Sequence, residues 1–227
     1  MQKFFGKKLL FVVAHPDDES FAAAGTIFQN HKLGGKNYII CATLGEKGKS
    51  HMPKAVSQTQ LKKIRRRELE RAAKFLKVDG LFFFNIPDTQ VSKNLKTFSK
   101  KTQNLAKKIQ PDYIFGFGPD GWSGHLDHIA SGKAAKKLAK KLKIPFLAFS
   151  APPEFIKRFQ QIKNRRRNGK YAKTVKHAVP NIKVGVNSAR KLESFKFHKS
   201  QFGASTMLAD FPKSVKKGVM AYEYFIK

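Results

Sequence analysis

A short polar run, His-Pro-Asp-Asp-Glu at residues 15–19, directly follows the apolar residues 9–14. Histidine nitrogen and carboxylate oxygen are both ligands that zinc accepts in proteins. His15 and Asp18 are three positions apart, which lets both side chains reach one point from a turn that enters a helix. The run therefore predicts part of a metal site, and the neighbouring Asp17 is left to accept a proton from water.

A second cluster of metal-binding residue types lies at residues 125–128, which read His-Leu-Asp-His. A catalytic zinc usually has three protein ligands and one open position, and His128 is the predicted third ligand. His125 is predicted to stabilise an oxyanion or to protonate a leaving group. Asp127 is predicted to hydrogen-bond one of the imidazoles and to fix its tautomer. The two clusters together predict a zinc-dependent hydrolase.

Acidic residues are scarce in this chain, which has 15 Asp and Glu against 46 Lys and Arg and a formal net charge of +31. An isolated acidic pair is more often a solvated helix start, because acids suit the positive end of the helix dipole. Here seven of the 15 acids fall in loops around the two clusters, namely Asp17, Asp18, Glu19, Glu46, Asp88, Asp120 and Asp127. This concentration favours a metal site.

Apolar runs typical of buried strands alternate with amphipathic helical patterns. The predicted strands are residues 9–14, 38–44, 81–85, 113–116 and 146–150, and the predicted helices are residues 20–33, 58–76, 95–109 and 128–142. Parallel strands need crossover connections, which these helices supply, so the fold class is α/β with a doubly wound, mostly parallel sheet. Residues 183–186 and 222–226 are predicted to return to the sheet.

The two clusters are predicted to meet at one edge of this sheet. His15 ends the first predicted strand, and residues 125–128 follow the fourth. Ligands of doubly wound sheets bind outside the carboxyl ends of the strands. The active site is therefore expected at that edge.

Length and composition limit the remaining possibilities. A chain of 227 residues suits one domain over residues 1–227, with a basic, irregular excursion at residues 152–180. No stretch approaches the roughly 20 apolar residues of a membrane span, and we expect a cytoplasmic protein. The single cysteine, Cys41, excludes an internal disulfide and any multi-cysteine zinc site.

The high positive charge has two interpretations. It could attract polyanions such as nucleic acid or anionic lipid, or it could reflect compositional drift, which the even spread of lysines favours. No specific nucleic acid is expected as a partner, and weak contact with an anionic membrane stays open. In either case the surface field raises the local concentration of an anionic substrate.

Six motifs occur in a characteristic order along most of the chain. They are Ala-His-Pro-Asp-Asp-Glu at 14–19, Thr-Leu-Gly-Glu-Lys-Gly at 43–48, Arg65 with Glu68 and Ala72, Pro87-Asp88, His125-x-Asp127-His128, and Lys191 followed by His198-x-Ser200-Gln201. In this order they resemble the LmbE/PIG-L family of zinc-dependent de-N-acetylases, which remove acetyl from N-acetylglucosamine units. The first and fifth motifs are highly specific. The others are weak individually and become persuasive because they occur in this order.

The resemblance implies a role for each of eight residues. It implies a Rossmann-like three-layer fold, in agreement with the strand and helix pattern. It implies that His15, Asp18 and His128 bind zinc, that Asp17 is the general base and that His125 assists the tetrahedral intermediate. It also places Arg65, Asp88 and His198 near the substrate. Iron(II) or another divalent metal stays an alternative to zinc, because these ligands suit several metals.

The sequence thus predicts a metal-dependent hydrolase that removes an N-acetyl group from a small, glucosamine-containing substrate. A zinc amidase that acts on a larger N-acyl sugar or thiol conjugate is the nearest alternative. A polyanion-binding protein with a vestigial site is a further one, which the intact set of catalytic positions disfavours. Whether the substrate is phosphorylated or lipid-linked stays open, as does the oligomeric state.

Overall fold

The computed structural model describes residues 2–152, 154–156, 178–202 and 213–227. The strands are β1 (Lys8–Val13), β2 (Lys36–Thr43), β3 (Gly80–Ile86), β4 (Tyr113–Phe117), β5 (Phe146–Ser150), β6 (Ile182–Gly185) and β7 (Tyr222–Ile226). The helices are α1 (Asp18–Lys32), α2 (Gln58–Phe75), α3 (Leu95–Ile109), α4 (Gly121–Gly124), α5 (Leu126–Leu142), α6 (Ser188–Phe195), α7 (Lys199–Phe202) and α8 (Lys213–Ala221). Most of the predicted excursion at 152–180 lies outside the described residues.

The strands form one sheet in the order β3-β2-β1-β4-β5-β7-β6. The first five strands are parallel, and β7 runs antiparallel to both β5 and β6. The predicted α/β fold with a mostly parallel sheet is confirmed. The strand order reverses between β1 and β4, and a reversal of this kind opens a crevice at the carboxyl ends of the two strands.

Strand β1 lies at the centre of the core and is buried on both faces. Leu9, Phe11 and Val13 pack with residues of α1 on one side of the sheet. Leu10 and Val12 pack with residues of α3 and α5 on the other side. Alternate residues of a strand point to opposite faces, so helices on both faces explain why this segment is apolar throughout.

The helices differ from the predicted ones mainly at their ends. Helix α5 begins two residues earlier than predicted, because the His125 side chain caps it by accepting the Asp127 N–H at 3.2 Å. Helices α4 and α6–α8 were not predicted, since segments of four to nine residues are too short to show helical periodicity. No helix among the described residues has both the length and the apolar character of a transmembrane span.

The C-terminal elements are fastened to α1 through one buried carboxylate. Glu223 on β7 accepts the backbone N–H groups of Gly25 and Thr26, each at 2.8 Å. Its Oε1 also lies 3.1 Å from the Lys191 Nζ on α6, and both side chains are almost fully buried. Helix α1, whose first turn enters the crevice, is therefore held from behind by elements almost 200 residues away in sequence.

Replacing Gly25 by alanine is expected to destabilise the protein by about 1–3 kcal/mol, the range for overpacking. A Cβ at Gly25 would overlap the side chain of Val186, whereas a Cβ at Gly218 on α8 would meet no heavy atom within 4 Å. Gly218→Ala is the matched control and is expected to be neutral or to stabilise by up to about 1 kcal/mol. Denaturant titration measures both changes, and equal effects would contradict close packing at Gly25.

Candidate active site

The site is built at the crevice between β1 and β4. The chain turns after β1 and enters α1, and Asp18 in the first turn of this helix folds back on the turn. Its Oδ2 accepts the backbone N–H groups of Ala14 at 3.0 Å and His15 at 2.9 Å. Its Oδ1 lies 3.2 Å from His128 Nε2, at the start of α5. The fold thus brings the two predicted metal-binding clusters together.

Contacts around the His128 ring determine which nitrogen carries the proton. Nδ1 lies 3.0 Å from the carbonyl oxygen of Gly121, and because a carbonyl can only accept, Nδ1 is the donor. In the neutral ring Nε2 then has a free electron pair, and it lies 3.2 Å from Asp18 Oδ1 and from His15 Nδ1. The Phe117 ring stacks on His128 at 3.9 Å between centroids and fixes its plane.

The His15 ring is held between two carboxylates. Nε2 lies 3.3 Å from Asp88 Oδ1 and 3.4 Å from Asp127 Oδ2, although neither contact is well aligned as a hydrogen bond. In the neutral ring these acceptors favour the proton on Nε2, so Nδ1, which faces His128, is the atom at which a second proton or a cation would bind. Burial alone would lower the pKa of His15, but Asp127 and Asp88 outweigh it and raise the pKa to about 10. The surroundings of this ring therefore favour positive charge.

Backbone groups hold both of these carboxylates in place. The Asp127 side chain is fully buried and accepts the N–H groups of Thr89 at 2.7 Å and Val91 at 3.1 Å. Asp88 Oδ2 accepts the N–H of Lys47 at 2.9 Å. Both of these aspartates thus have one face toward His15 and the other toward backbone donors, an arrangement typical of groups that orient a metal ligand.

The donor set fits a divalent metal ion. His15 Nδ1 and His128 Nε2 are 3.2 Å apart. Asp18 Oδ1 lies 3.2 Å from His128 Nε2, and Asp18 Oδ2 lies 3.9 Å from His15 Nδ1. Tetrahedral zinc ligands at about 2.0–2.1 Å from the metal are about 3.3 Å apart. The same surroundings that raise the pKa of His15 favour a cation bound between these nitrogen and oxygen atoms in place of a proton. Two overlapping groups also satisfy metal-site spacing, His15 with His125 and His128, and His15 with Asp88 and Asp127.

The pKa of Asp18 agrees with this interpretation. Burial disfavours its charged form, but His128 and His15 outweigh burial and hold the pKa of Asp18 well below its usual value. The carboxylate is therefore ionised and able to bind a cation throughout the range in which proteins are normally studied.

His125 lies beside the two histidines of the donor set. Its ring centroid is 4.7 Å from that of His15 and 5.0 Å from that of His128. Burial, followed by the charges of His15 and His128, lowers the pKa of His125 to about 2. Since Nδ1 accepts the Asp127 N–H, the proton of the neutral ring is on Nε2, which makes that atom a hydrogen-bond donor.

Asp17 lies next to the donor set in an unusual backbone conformation. Its φ is 117°, in the region that favours glycine, and its side chain is 23% exposed. Burial raises the pKa of Asp17 to about 6, with Arg65 acting in the opposite direction and Asp18 in the same one. A partly exposed carboxyl with this pKa is ionised at neutral pH and can still accept a proton readily.

The guanidinium of Arg65 is buried and contacts the chain itself. Nη1 donates to the Gly45 carbonyl at 2.8 Å, and Nη2 donates to the Pro16 carbonyl and lies 3.1 Å from Asp17 Oδ2. Gly45 has φ +63°, and a Cβ there would overlap the guanidinium. Arg65 therefore joins the loop after β2 to the turn after β1.

Replacing Arg65 by methionine is expected to destabilise the protein by about 1–3 kcal/mol, because it leaves the partly exposed Asp17 carboxylate and two buried carbonyls without their donor. Arg67→Met on the same helix is the matched control, since Arg67 is exposed. Chemical denaturation of both variants checks this, and losses of similar size would show that the buried contacts of Arg65 contribute little.

His198 is placed differently from the other predicted residues. The sequence places it near the substrate, but its ring is fully buried, and Nε2 lies 2.6 Å from Glu19 Oε1. The reason is that α7 packs against α2, where Ser200 donates to Glu68, and this packing places His198 beside Glu19 in the first turn of α1. The His198 side chain thus contacts Glu19 inside the protein and is not exposed in the crevice.

Residues 10–139 match the protein family described as PIG-L: GlcNAc-PI de-N-acetylase. This is more than half of the chain. The chain belongs to the PIG-L family. The resemblance drawn from the sequence is therefore confirmed, and the PIG-L match contains eight of the nine predicted site residues, all except His198.

Individual PIG-L relatives are deacetylases of acetylated sugars. A probable N-acetyl-alpha-D-glucosaminyl L-malate deacetylase 2 of Bacillus anthracis is 28% identical over 221 residues, which are 94% of this chain and 88% of the relative. A 1D-myo-inositol 2-acetamido-2-deoxy-alpha-D-glucopyranoside deacetylase of Corynebacterium diphtheriae is 27% identical over 174 residues, 67% of this chain and 59% of that protein. The structure of N,N'-diacetylchitobiose deacetylase from Pyrococcus horikoshii matches with a TM-score of 0.69 at 26% identity. The match covers 97% of this chain and 83% of the deacetylase chain.

Several residues at the candidate site had no role in the sequence prediction. Glu19 and Glu46 belong to the first two motifs and were assigned no role, yet Glu19 accepts the Asp17 N–H at 3.0 Å and Glu46 accepts the Asp88 N–H at 2.9 Å. Phe117 was assigned no part at all. The scarcity of acids and the two motifs were the available signals for the glutamates, whereas no sequence signal indicated that Phe117 stacks on His128.

Proposed function

We propose that this protein is a metal-dependent hydrolase that removes the N-acetyl group from a small, glucosamine-containing substrate. The observation that carries the proposal is the convergence of His15 Nδ1, Asp18 and His128 Nε2 on one point, with Asp17 and His125 beside it. Membership of a deacetylase family supports the reaction class.

His15, Asp18 and His128 would hold the metal, as the donor set and the proton positions of the two rings suggest. Zinc is the proposed ion, and iron(II) is the main alternative, because imidazole and carboxylate accept both. When bound, the metal polarises the amide carbonyl and makes water more acidic.

Asp17 is the proposed general base. It takes a proton from the attacking water as the new carbon–oxygen bond forms, and it passes this proton to the amine nitrogen as the carbon–nitrogen bond breaks. The products are acetate and the free amine. Its pKa of about 6 suits both steps near neutral pH.

His125 is proposed to donate its Nε2 proton in a hydrogen bond to the oxygen that becomes negative during attack. Asp127 is proposed to orient His15, which it approaches to 3.4 Å. Substrate contact at Arg65, Asp88 and His198 stays a prediction, and the hydrogen bonds described above for all three are to the protein itself. Arg65 and Asp88 are then proposed to act chiefly by holding Asp17 and His15.

The substrate class follows from the relatives, whose names give a malate conjugate, an inositol conjugate and a disaccharide of N-acetylglucosamine. The acetylated sugar is common to these three, and the attached group differs. With a net charge of +31, the protein would attract an anionic attached group more strongly than a neutral one.

Acetate release from those three compounds tests the proposal, with the metal content of the purified protein measured in parallel. We expect about one metal per chain, acetate from at least one compound, and activity that a chelator abolishes and added zinc restores. Metal without acetate release from any compound would contradict the substrate class and favour a larger N-acyl conjugate. Failure to bind metal after reconstitution would contradict the mechanism.

A further inference from the structure

The backbone conformation of Asp17 must be stabilised by contacts with other residues. Its φ of 117° is rare for a residue with a side chain, and such conformations persist only where the surrounding structure imposes them. The Asp17 side chain does not cap α1, so it does not hold its own backbone. The N–H of Asp17 instead donates to Glu19 Oε2 at 3.0 Å.

Glu19 is itself held at its other oxygen. Its Oε1 accepts hydrogen bonds from Ser20 Oγ and from His198 Nε2, each at 2.6 Å. Both Glu19 and His198 are fully buried. The hydrogen bond from His198 spans 179 residues of sequence and is the contact that reaches Glu19 from the C-terminal part of the chain.

Packing alone does not explain why a polar ring is buried at position 198. Nδ1 is buried and has no hydrogen-bond partner among the residues that the structure describes. Burying a polar atom without a partner costs free energy, which an apolar side chain of similar size would avoid. The Glu19 contact is what an imidazole provides at this position and a leucine does not.

We propose that His198 is a positioning residue for the general base Asp17 and acts through Glu19. The hydrogen bond from Nε2 fixes the Glu19 side chain, Glu19 Oε2 fixes the Asp17 N–H, and the strained turn then aims the Asp17 carboxylate at the water. Arg65 holds the same carboxylate from the other side at 3.1 Å. The role assigned to Asp17 rests on the proposed function.

Three substitutions at His198 test the proposal. His198→Gln keeps an N–H donor at nearly the reach of Nε2, His198→Asn has the same amide one bond short, and His198→Leu has no donor. We expect kcat to fall about 10–100-fold for Asn and Leu, because a displacement of about 1 Å can cost 100-fold, with KM within about twofold. His198→Gln is expected to recover most of kcat, and all variants are expected to keep the metal.

Ser200→Ala is the matched control on the same segment. It removes a buried 2.6 Å hydrogen bond to Glu68, which contacts neither Asp17 nor the metal-binding residues in the described structure. A purely structural role of this segment predicts that Ser200→Ala and His198→Asn lower stability alike and leave kcat of the folded protein unchanged. Our proposal predicts a loss of kcat for His198→Asn alone.

Several results would overturn the proposal. They are an unchanged kcat in the folded Asn and Leu variants, an equal loss of kcat in the Gln variant, or a loss of metal together with activity. If His198→Leu does not fold, the Gln and Asn pair decides. If the wild type releases no acetate, the proposed function has failed. Crystal structures of the variants then still test whether His198 holds the Asp17 backbone through Glu19. Asp17 should then leave its positive φ in the Asn variant and keep it in the Gln variant.

Discussion

Replacing Asp17 by asparagine is expected to lower kcat for acetate release by about 10²–10⁴-fold, the usual contribution of a general base. Asparagine has the shape of aspartate and can still accept from Arg65 through its amide oxygen, so the site should stay intact. It cannot take the proton of the attacking water. Steady-state kinetics with parallel metal analysis checks the effect, and the metal content should stay at the wild-type level.

Asp112→Asn is the matched control for this substitution. Asp112 is exposed just before β4, at the edge of the sheet opposite the site, where it accepts the Lys8 N–H. Its kcat should equal that of the wild type. A folded, metal-loaded Asp17→Asn protein with wild-type kcat would assign the proton transfer to another group, and His125 would then be the first to examine.

Replacing His128 by glutamine is expected to remove both the metal and the activity. The loss of affinity should exceed the roughly 10–100-fold that an outer hydrogen-bond partner contributes, because a direct ligand is lost. His128 Nε2 lies 3.2 Å from His15 Nδ1 and from Asp18 Oδ1, so its loss removes one of the three converging donor atoms. Metal analysis after dialysis and acetate release measure the two effects, and chelation of the wild type should give the same inactive state.

His31→Gln is the control for the metal experiment, since His31 is exposed in the last turn of α1. It should bind metal and release acetate as the wild type does. If His128→Gln kept its metal, the overlapping groups of donors that contain His125, Asp88 or Asp127 would have to hold the ion. That result would replace the ligand set of His15, Asp18 and His128.

Much of the fold could be predicted from the sequence, for a physical reason that acts locally. A strand covered on both faces is apolar along its buried length, as β1 is from Leu9 to Val13, and a helix that covers it has an apolar stripe, as α5 has. Alternation of the two patterns implies parallel strands. Once the strands are parallel, residues that follow their carboxyl ends share one edge, so His15 and His128 could be placed together.

Contacts between distant segments decided the rest, because local periodicity contains no information about which side chains meet. The sequence determined that His15, Asp17, Asp18 and His128 share an edge of the sheet. Only the tertiary structure decided that β7 runs antiparallel to β5 and that Arg65 turns inward. It likewise buried His198 against Glu19, 179 positions away. Packing density and the need to pair buried polar groups select these contacts, and both act only in the folded chain.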